Sequence, residues 1–91
     1  LTELKSIYPN PFNPSATISY NLATPAEVEF RIFNSRGQLV RNMALGVKDA
    51  GTWNLVWNGT DNNGRAVPTG IYYIQMQAGK DSFIRKAVMM K

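Results

Sequence analysis

Apolar and polar residues alternate along three segments of the chain. Residues 17–22 place Ile18, Tyr20 and Leu22 on one side of an extended backbone and polar side chains on the other. The same alternation recurs in residues 27–32 and 53–58, where the apolar positions are Val28, Phe30, Ile32, Trp53, Leu55 and Trp57. A period of two residues is the period of a β-strand. The pattern therefore predicts strands with one buried face and one solvated face, as in antiparallel sheets.

Other segments fit β-strands less strictly, and they are residues 4–8, 38–44, 71–78 and 83–90. The apolar face of segment 71–78 consists of Tyr72, Ile74, Met76 and Ala78. Segment 83–90 is apolar on both faces and is interrupted by Arg85 and Lys86, so its pattern does not say which face is buried. No segment has a helical period. About seven short strands separated by turn signals predict an all-β fold, an immunoglobulin-like antiparallel β-sandwich.

Two turns can be assigned from residue type. The stretch NSRG at residues 34–37 predicts a β-hairpin in which Gly37 supplies a positive φ. The stretch DNNG at residues 61–64 has the composition of a calcium loop. An EF-hand, however, needs an acid where this chain has Gly59, and its distal glutamate is absent. A tight turn with Gly64 in the left-handed region is favoured instead.

A proline-rich stretch, YPNPFNPS, precedes the first alternating strand at residues 8–15. Proline fixes φ, removes a backbone donor and holds the preceding residue extended, so this stretch can be neither a helix nor a central strand. We predict that residues 1–14 form an arm, able to contain a short first strand, on the edge of a single β-domain whose sandwich spans residues 15–91. Asn10 and Asn13 are expected to be extended or to begin turns, with side chains that bond to nearby backbone.

Length and composition indicate one globular domain. The 91 residues are 44% hydrophobic and 18% charged, which separates the chain from disordered proteins. Because the chain begins at Leu1 without an initiator methionine, we expect it to be a piece of a longer protein. No apolar run reaches the length of a membrane span, and no signal peptide is expected. The net charge of +4 comes from scattered bases, which is typical of a solvated surface, so no nucleic-acid partner is expected.

The chain lacks the residues on which most catalytic and metal sites depend. It contains no histidine and no cysteine, so disulfides, thiolate zinc sites and nucleophilic triads are excluded. Glu27 and Glu29 would lie about 6–7 Å apart on a strand, within the range of glycosidase carboxylate pairs. They share a polar face with Arg31 and imply no pocket, which favours a solvated surface. We therefore expect no catalytic residue, no bound metal and no cofactor.

Four aromatic residues raise the alternative of a sugar-binding or base-stacking platform, and they are Trp53, Trp57, Tyr72 and Tyr73. Trp53 and Trp57 share one strand face with Leu55, which favours core packing. Tyr72, just inside its strand, fits a tyrosine corner, which is a structural role. Tyr73 points to the face opposite Tyr72 and is the aromatic residue expected to be exposed.

Four stretches together resemble a known family: YPNPFNPSATISYNL, VEFRIFNSRGQLVR, GTWNLVWNGTDNNGRAVPTGIYYIQMQAG and the ending FIRKAVMMK. Over residues 8–91, their order and spacing resemble the type IX secretion system C-terminal sorting domain, type A. The proline arm is the most specific part of the resemblance, and its signature residues are Tyr8, Pro9, Asn10, Pro11, Phe12, Asn13 and Pro14. The block from Trp57 to Tyr72 also resembles the immunoglobulin-like domain of the flagellar hook-capping protein.

The resemblance implies that the domain is a non-catalytic address for a larger secreted protein of a Gram-negative bacterium. Domains of this family are recognised in the periplasm by an outer-membrane translocon and are often cleaved by a sortase-like peptidase, after which the cargo is secreted or attached to the cell surface. The implied partners are therefore the translocon, the peptidase and an N-terminal cargo domain in the same chain. The implied recognition residues are Gly70, Tyr72, Arg85, Lys86, Val88, Met89, Met90 and Lys91.

Two other functions stay open beside the sorting role. A structural immunoglobulin-like module of the hook-cap type is the first, and a carbohydrate-binding accessory module of a secreted hydrolase is the second. The sugar-binding module would require Phe33, Tyr73 or a tryptophan to be exposed in a row. For the sorting role, a last strand that buries one face and presents the other to a partner needs no catalytic residue. Its alternative is a last strand buried on both sides.

Overall fold

Seven β-strands form two antiparallel sheets in the computed structural model, which describes residues 1–91. The strands are β1 (Glu3–Tyr8), β2 (Ala16–Leu22), β3 (Ala26–Asn34), β4 (Leu39–Lys48), β5 (Gly51–Trp57), β6 (Gly70–Ala78) and β7 (Asp81–Met89). One sheet has the order β1-β2-β5 and the other the order β4-β3-β6-β7. The prediction of an all-β, immunoglobulin-like sandwich is confirmed. The chain has no helix that is long and apolar enough to cross a membrane.

The core lies between the sheets and is built from the alternating residues. The apolar faces predicted for β2, β3 and β6 are all buried, and they comprise Ile18, Tyr20, Leu22, Val28, Phe30, Ile32, Tyr72, Ile74, Met76 and Ala78. The predicted face of β5 is buried only at one end, since Trp57 is inside whereas Trp53 and Leu55 are half-buried. The Lys48 ammonium lies 4.7 Å from the centroid of the Trp53 ring at the margin of the core. Only one of the two tryptophans is therefore a central core residue.

The observed β4 is longer than its sequence pattern predicts. We expected it to end at residue 44, whereas the strand continues to Lys48. Val28 pairs with Gly46 and Glu29 pairs with Ala44, so Leu45 is an extra residue in β4. Such a bulge is a common place for a glycine with positive φ, and Gly46 has a φ of +74°. The bulge interrupts the alternation of side chains, which is why the period of two is lost before the strand ends.

Both predicted turns are present. Gly37 has a φ of +80° in the β3–β4 hairpin, and Gly64 has a φ of +78° in the turn at residues 61–64. The carboxylate Oδ1 of Asp61 accepts the backbone N–H of Asn63 at 2.9 Å and of Arg65 at 3.0 Å. These bonds close the turn in the manner typical of an aspartate before a glycine.

β7 is an edge strand, and the structure shows which of its two faces is buried in the sandwich. Its pairing with β6 is regular from Asp81 to Met89, so side chains alternate strictly between the two faces. Ala87 and Met89 are buried in the sandwich, whereas Ile84 on the other face is 61% exposed. The strand is apolar on both faces because its outward residues include Ile84 and Val88. The alternative of a last strand buried on both sides is wrong.

The proline arm lies along the free edge of β7. The N–H of Phe12 donates to the carbonyl oxygen of Val88 at 2.8 Å, and the N–H of Met90 donates to the carbonyl oxygen of Phe12 at 3.0 Å. The Asn10 side chain continues this pairing. Its Nδ2 donates to the carbonyl oxygen of Lys86 at 3.2 Å, and its Oδ1 accepts the N–H of Val88 at 2.9 Å. A side-chain amide carries the same donor and acceptor as a peptide group, so Asn10 satisfies the edge without a further strand.

This arrangement differs from the local turns that the sequence predicts for the two asparagines of the arm. The hydrogen-bond partners of the Asn10 side chain are 76 and 78 residues away in the chain. Asn13 is exposed, and its side chain forms no hydrogen bond. The partner of Asn10 depends on which strand lies at the sheet edge, a property that local residue preferences do not contain.

Phe12 anchors the arm in the core. Its side chain is buried, and its ring centroid lies 5.4 Å from that of Trp57. Gly59 lets the arm approach closely, because a Cβ at this position would meet the Met89 side chain and would lie 2.7 Å from the carbonyl oxygen of Pro14. A backbone oxygen cannot yield as a flexible side chain can, and the φ of Gly59 is +74°. Glycine is therefore required where the arm crosses the β5–β6 loop.

Trp57→Ala is expected to lower the free energy of unfolding by about 3–5 kcal/mol, because it removes a fully buried indole and leaves a cavity. Trp53→Ala, at a half-buried position on the same strand face, is the matched control and should lower it distinctly less. Urea unfolding of both purified variants measures the difference. Equal losses in the two variants would contradict the placement of Trp57 at the centre of the core.

Asn10→Ala is expected to loosen the edge of β7. A hydrogen bond between neutral groups contributes about 0.5–1.5 kcal/mol, so losing two should lower the free energy of unfolding by roughly 1–3 kcal/mol. The Val88 amide should also exchange its hydrogen with solvent faster, which NMR measures directly. Asn13→Ala is the matched control, since it makes the same change before a proline without removing a hydrogen bond. Unchanged protection of the Val88 amide in Asn10→Ala would show that the pairing is absent in solution.

Candidate partner-binding strand

The residues named by the family resemblance come together at one end of the four-stranded sheet. β6 starts and β7 ends there, and the register pairs Gly70 with Met89 and Tyr72 with Ala87. The pleat of the strands then divides the set into an inward group and an outward group. The inward group is Tyr72, Arg85 and Met89, and the outward or exposed group is Lys86, Val88, Met90 and Lys91.

Two members of the inward group serve the core. Tyr72 is buried with its ring centroid 5.5 Å from that of Trp57. Its hydroxyl donates to the carbonyl oxygen of Pro68 at 2.5 Å, which is the expected tyrosine corner. Burial raises the pKa of the Tyr72 hydroxyl, so the group stays protonated as a donor at neutral pH. Met89 is buried beside Gly59 and pairs with the arm. Both side chains are covered from solvent.

The adjacent bases Arg85 and Lys86 have different surroundings. The Nε–H of Arg85 donates to the carbonyl oxygen of Leu4 at 2.6 Å, so this side chain joins the last strand to β1 of the other sheet. Lys86 points outward and is exposed, and its ammonium has no hydrogen-bond or ion-pair partner in the chain. Of the two bases, Lys86 is the one free to meet a partner.

Part of the outer edge of β7 is unpaired. Lys86 and Val88 bond to the arm through groups that point away from β6. Backbone direction alternates along a strand, so Ser82 and Ile84 also point away from β6. No strand pairs with Ser82 or Ile84 on that side. An open edge of this kind can accept an extended segment of another chain.

Side chains beyond the implied set also lie beside the candidate strand. Phe33 of β3 pairs with Tyr73 of β6, and Tyr73 pairs with Lys86 of β7. Tyr73 is 37% exposed, in agreement with the face that the sequence pattern predicts for it, and Phe33 is half-buried. These residues form a short aromatic row, to which the tryptophans contribute nothing because Trp53 and Trp57 belong to the other sheet. The sequence named Phe33 and Tyr73 as candidates for such a row, but it could not show that they are neighbours, since that depends on strand order and register.

An open groove of about 630 Å³ lies at the same end, between the β3–β4 hairpin and the loop that joins β5 to β6. The polar groups of that loop are engaged with one another. The Arg65 backbone N–H donates to the Asp61 carboxylate and lowers the pKa of Asp61, and the charges of Arg65 and Arg41 act in the same direction. The Asn62 side chain exchanges hydrogen bonds with Asn42 of β4, at 3.1 Å to its N–H and 2.9 Å to its Oδ1. No group of three or more acidic side chains that could hold a metal ion occurs.

Comparison with known proteins identifies the type of domain. The model of the FlgD Ig-like domain family matches residues 12–82. Among solved structures, FlgD from P. aeruginosa is similar with a TM-score of 0.67 and 24% identity over 81% of this chain. PorZ, a surface component of the type IX secretion system of Porphyromonas gingivalis, is similar with a TM-score of 0.65 and 21% identity over 94% of this chain. Dimeric latent PorU from Porphyromonas gingivalis has a TM-score of 0.72 and 18% identity over 93% of this chain.

The similar proteins of known structure are longer than this chain and have low sequence identity to it. No protein with a curated description matches the chain. This chain spans 60% of the P. aeruginosa FlgD chain, 11% of the PorZ chain and 9% of the PorU chain. At such low identity, the likeness to solved structures establishes the fold alone. The family model covers most of the sandwich, from the arm to the start of β7. The chain therefore belongs to the FlgD Ig-like domain family.

Proposed function

We propose that this domain is a non-catalytic sorting domain. The type IX outer-membrane translocon recognises the domain and thereby exports the larger secreted protein to which the domain belongs. In this proposal the protein passes through the periplasm of a Gram-negative bacterium and is then released or attached to the cell surface. A sortase-like peptidase is the second partner, and the cargo is an N-terminal domain of the same chain. The observation that carries the proposal is the last strand, whose outward residues Ser82, Ile84 and Lys86 are exposed and whose edge is partly open.

The geometry of β7 supports recognition by a partner. Ile84 and Lys86 point to solvent from the same strand, and the backbone groups of Ser82 and Ile84 are unpaired. In strand capture, backbone hydrogen bonds supply affinity and alternate side chains supply specificity. The free ammonium of Lys86 adds a positive charge, which favours a partner with carboxylates. None of these contacts requires a catalytic group.

The likeness to PorZ supports a type IX context. It extends over 94% of this chain but takes up only 11% of the PorZ chain. The domain thus resembles one part of a larger surface component of that secretion system. A module of this size attached to other domains suits an address better than it suits an independent enzyme.

A structural module of the hook-cap type is the second candidate, favoured by the FlgD Ig-like family match. In that role the domain would contact neighbouring domains or subunits, but it would not direct the export of an attached protein. Export of a fused reporter therefore separates the two functions.

Residues 1–91 fused to the C-terminus of a periplasmic reporter are expected to carry it outside a host that has the type IX system. The same fusion should stay in the periplasm of a host whose translocon has been deleted. The fraction of reporter activity outside the cells measures export. A folded fusion that remains in the periplasm of the wild-type host would reject the sorting role and favour the structural module of the hook-cap type.

Lys86→Ala is expected to reduce export several-fold without unfolding the domain, since removal of an exposed charge changes stability by under about 0.5 kcal/mol. Lys80→Ala is the matched control, because Lys80 is an exposed lysine at the opposite end of β7. Arg85→Ala should also lower the melting temperature, because it loses the bond to Leu4. Export of Lys86→Ala at the level of the parent would remove Lys86 from the recognition site.

A further inference from the structure

The outer face of the four-stranded sheet is divided into an apolar half and a polar half. Cross-strand pairing aligns one row of side chains across the sheet, Leu39, Phe33, Tyr73 and Lys86. The next row, toward the end of β7, holds Ile71 and Val88. Residues paired directly across a sheet share a face. Five neighbours therefore make one surface, the apolar half-face, which consists of Leu39, Phe33, Tyr73, Ile71 and Val88.

The apolar half-face is open to solvent and ends abruptly. Leu39 is 50% exposed, Ile71 is 40% exposed and Tyr73 is 37% exposed. The row on its other side is polar except at the β7 edge, and it consists of Asn42, Arg31, Gln75 and Ile84. Large apolar side chains that cluster on one part of a surface, with a polar border, are typical of an interaction site.

Charge is separated along the same face. Lys86 stands in the apolar row itself, Arg36 lies in the hairpin turn at that end, and Lys91 follows β7 there. The outward carboxylates Glu27 and Glu29 of β3 lie toward the opposite end, and Glu29 is paired with Arg31 at 2.9 Å. Asp61, in the β5–β6 loop beside β4, accepts hydrogen bonds from backbone N–H groups of its own turn. The apolar half-face is therefore bordered by bases whose charge is not neutralised within the sheet.

We propose that the apolar half-face binds the folded surface of a partner protein, a flat apolar area bordered by carboxylates. The inference rests on the proposed function, because the partner is the component that reads the domain. The last strand alone presents too little surface, since a specific interface takes about 800 Å² on each side. β6, β3 and β4 supply the neighbouring area, and Lys86, Arg36 and Lys91 require negative charge on the other side.

Two other occupants fit the apolar half-face less well. A second copy would meet it across a two-fold axis, which sets Lys86 and Lys91 near the same bases of the other copy. A lipid surface would need apolar side chains that reach well into the headgroup layer. Tyr73 and Ile71 are more than half covered by the sheet, since they are 37% and 40% exposed. A complementary protein surface can use such low relief, because shape and charge together give the fit.

The test compares two triple variants in the reporter fusion described above. The first replaces three residues of the apolar half-face, Leu39→Thr, Phe33→Thr and Tyr73→Thr. The second also introduces three threonines on the same three strands, but at polar positions one row away, Asn42→Thr, Arg31→Thr and Gln75→Thr. Threonine suits strands, so both variants should keep the fold. Export of the first should fall at least about tenfold, the factor that corresponds to 1.4 kcal/mol of binding free energy, and export of the second should stay within about twofold of the parent.

Each outcome of the fusion test supports or overturns either the sorting role or the role of the apolar half-face. If the parent fusion is not exported, the proposed function fails and this inference fails with it. Parent-level export of the folded first variant overturns the inference alone and leaves the sorting role standing. If the first variant does not fold, Arg36→Glu against Lys80→Glu decides, because Arg36 borders the half-face from the hairpin turn and is not part of β7. Charge reversal at Arg36 should block export, and reversal at Lys80 should not. Equal export of these two variants then overturns the inference.

The purified domain tests the rejected occupants directly. It is expected to sediment as a monomer and not to bind vesicles that contain phosphatidylglycerol. Dimers that the first triple variant abolishes would overturn the inference in favour of a second copy. Vesicle binding that this variant abolishes would overturn it in favour of a lipid surface.

Discussion

Trp57 is the side chain that holds the two sheets, the arm and the β5–β6 loop together. Its ring contacts Phe12 of the arm and Tyr72 of β6, with centroid distances of 5.4 and 5.5 Å. Its Nε1–H donates to the carbonyl oxygen of Thr60 at 2.9 Å, which fixes the start of the loop. A buried indole needs both apolar contacts and a partner for its N–H, and this position supplies both. The arm can reach β7 and the tyrosine corner can form because this indole fills the space between the sheets.

Side-chain amides close parts of both edges of the four-stranded sheet. Asn10 bonds to β7. At the other edge, Asn62 bonds to Asn42 through its side chain, and its own N–H donates to the carbonyl oxygen of Val40 at 3.1 Å. Edge strands invite pairing with other chains, so an asparagine in a loop protects an edge without adding a strand. On β7 this protection stops before Ile84, so the backbone edge at Ser82 and Ile84 stays unpaired.

The sequence predicted the sandwich, the turns and most of the core, because β2, β3 and β6 each have one solvated face. It could not assign the faces of β7, since inward Met89 and outward Ile84 are equally apolar and only the register with β6 separates them. The bulge at Leu45 hid the second half of β4. The row that joins Phe33 to Tyr73 depends on strand order, which no local pattern contains. The recognition residues came from a family resemblance, and their roles stay predictions.

The contact between the arm and β7 ties residues 10–12 to residues 86–90. A chain interrupted before β7 would still contain every strand of the first sheet, but Phe12 would lack Met89 beside it and Asn10 would lack its backbone partners. Such a product would expose Phe12, and exposed apolar side chains are the kind of surface on which chaperones and proteases act. Completion of the fold therefore depends on β7. Only a chain translated through β7 can bury Phe12 and so cover this apolar surface.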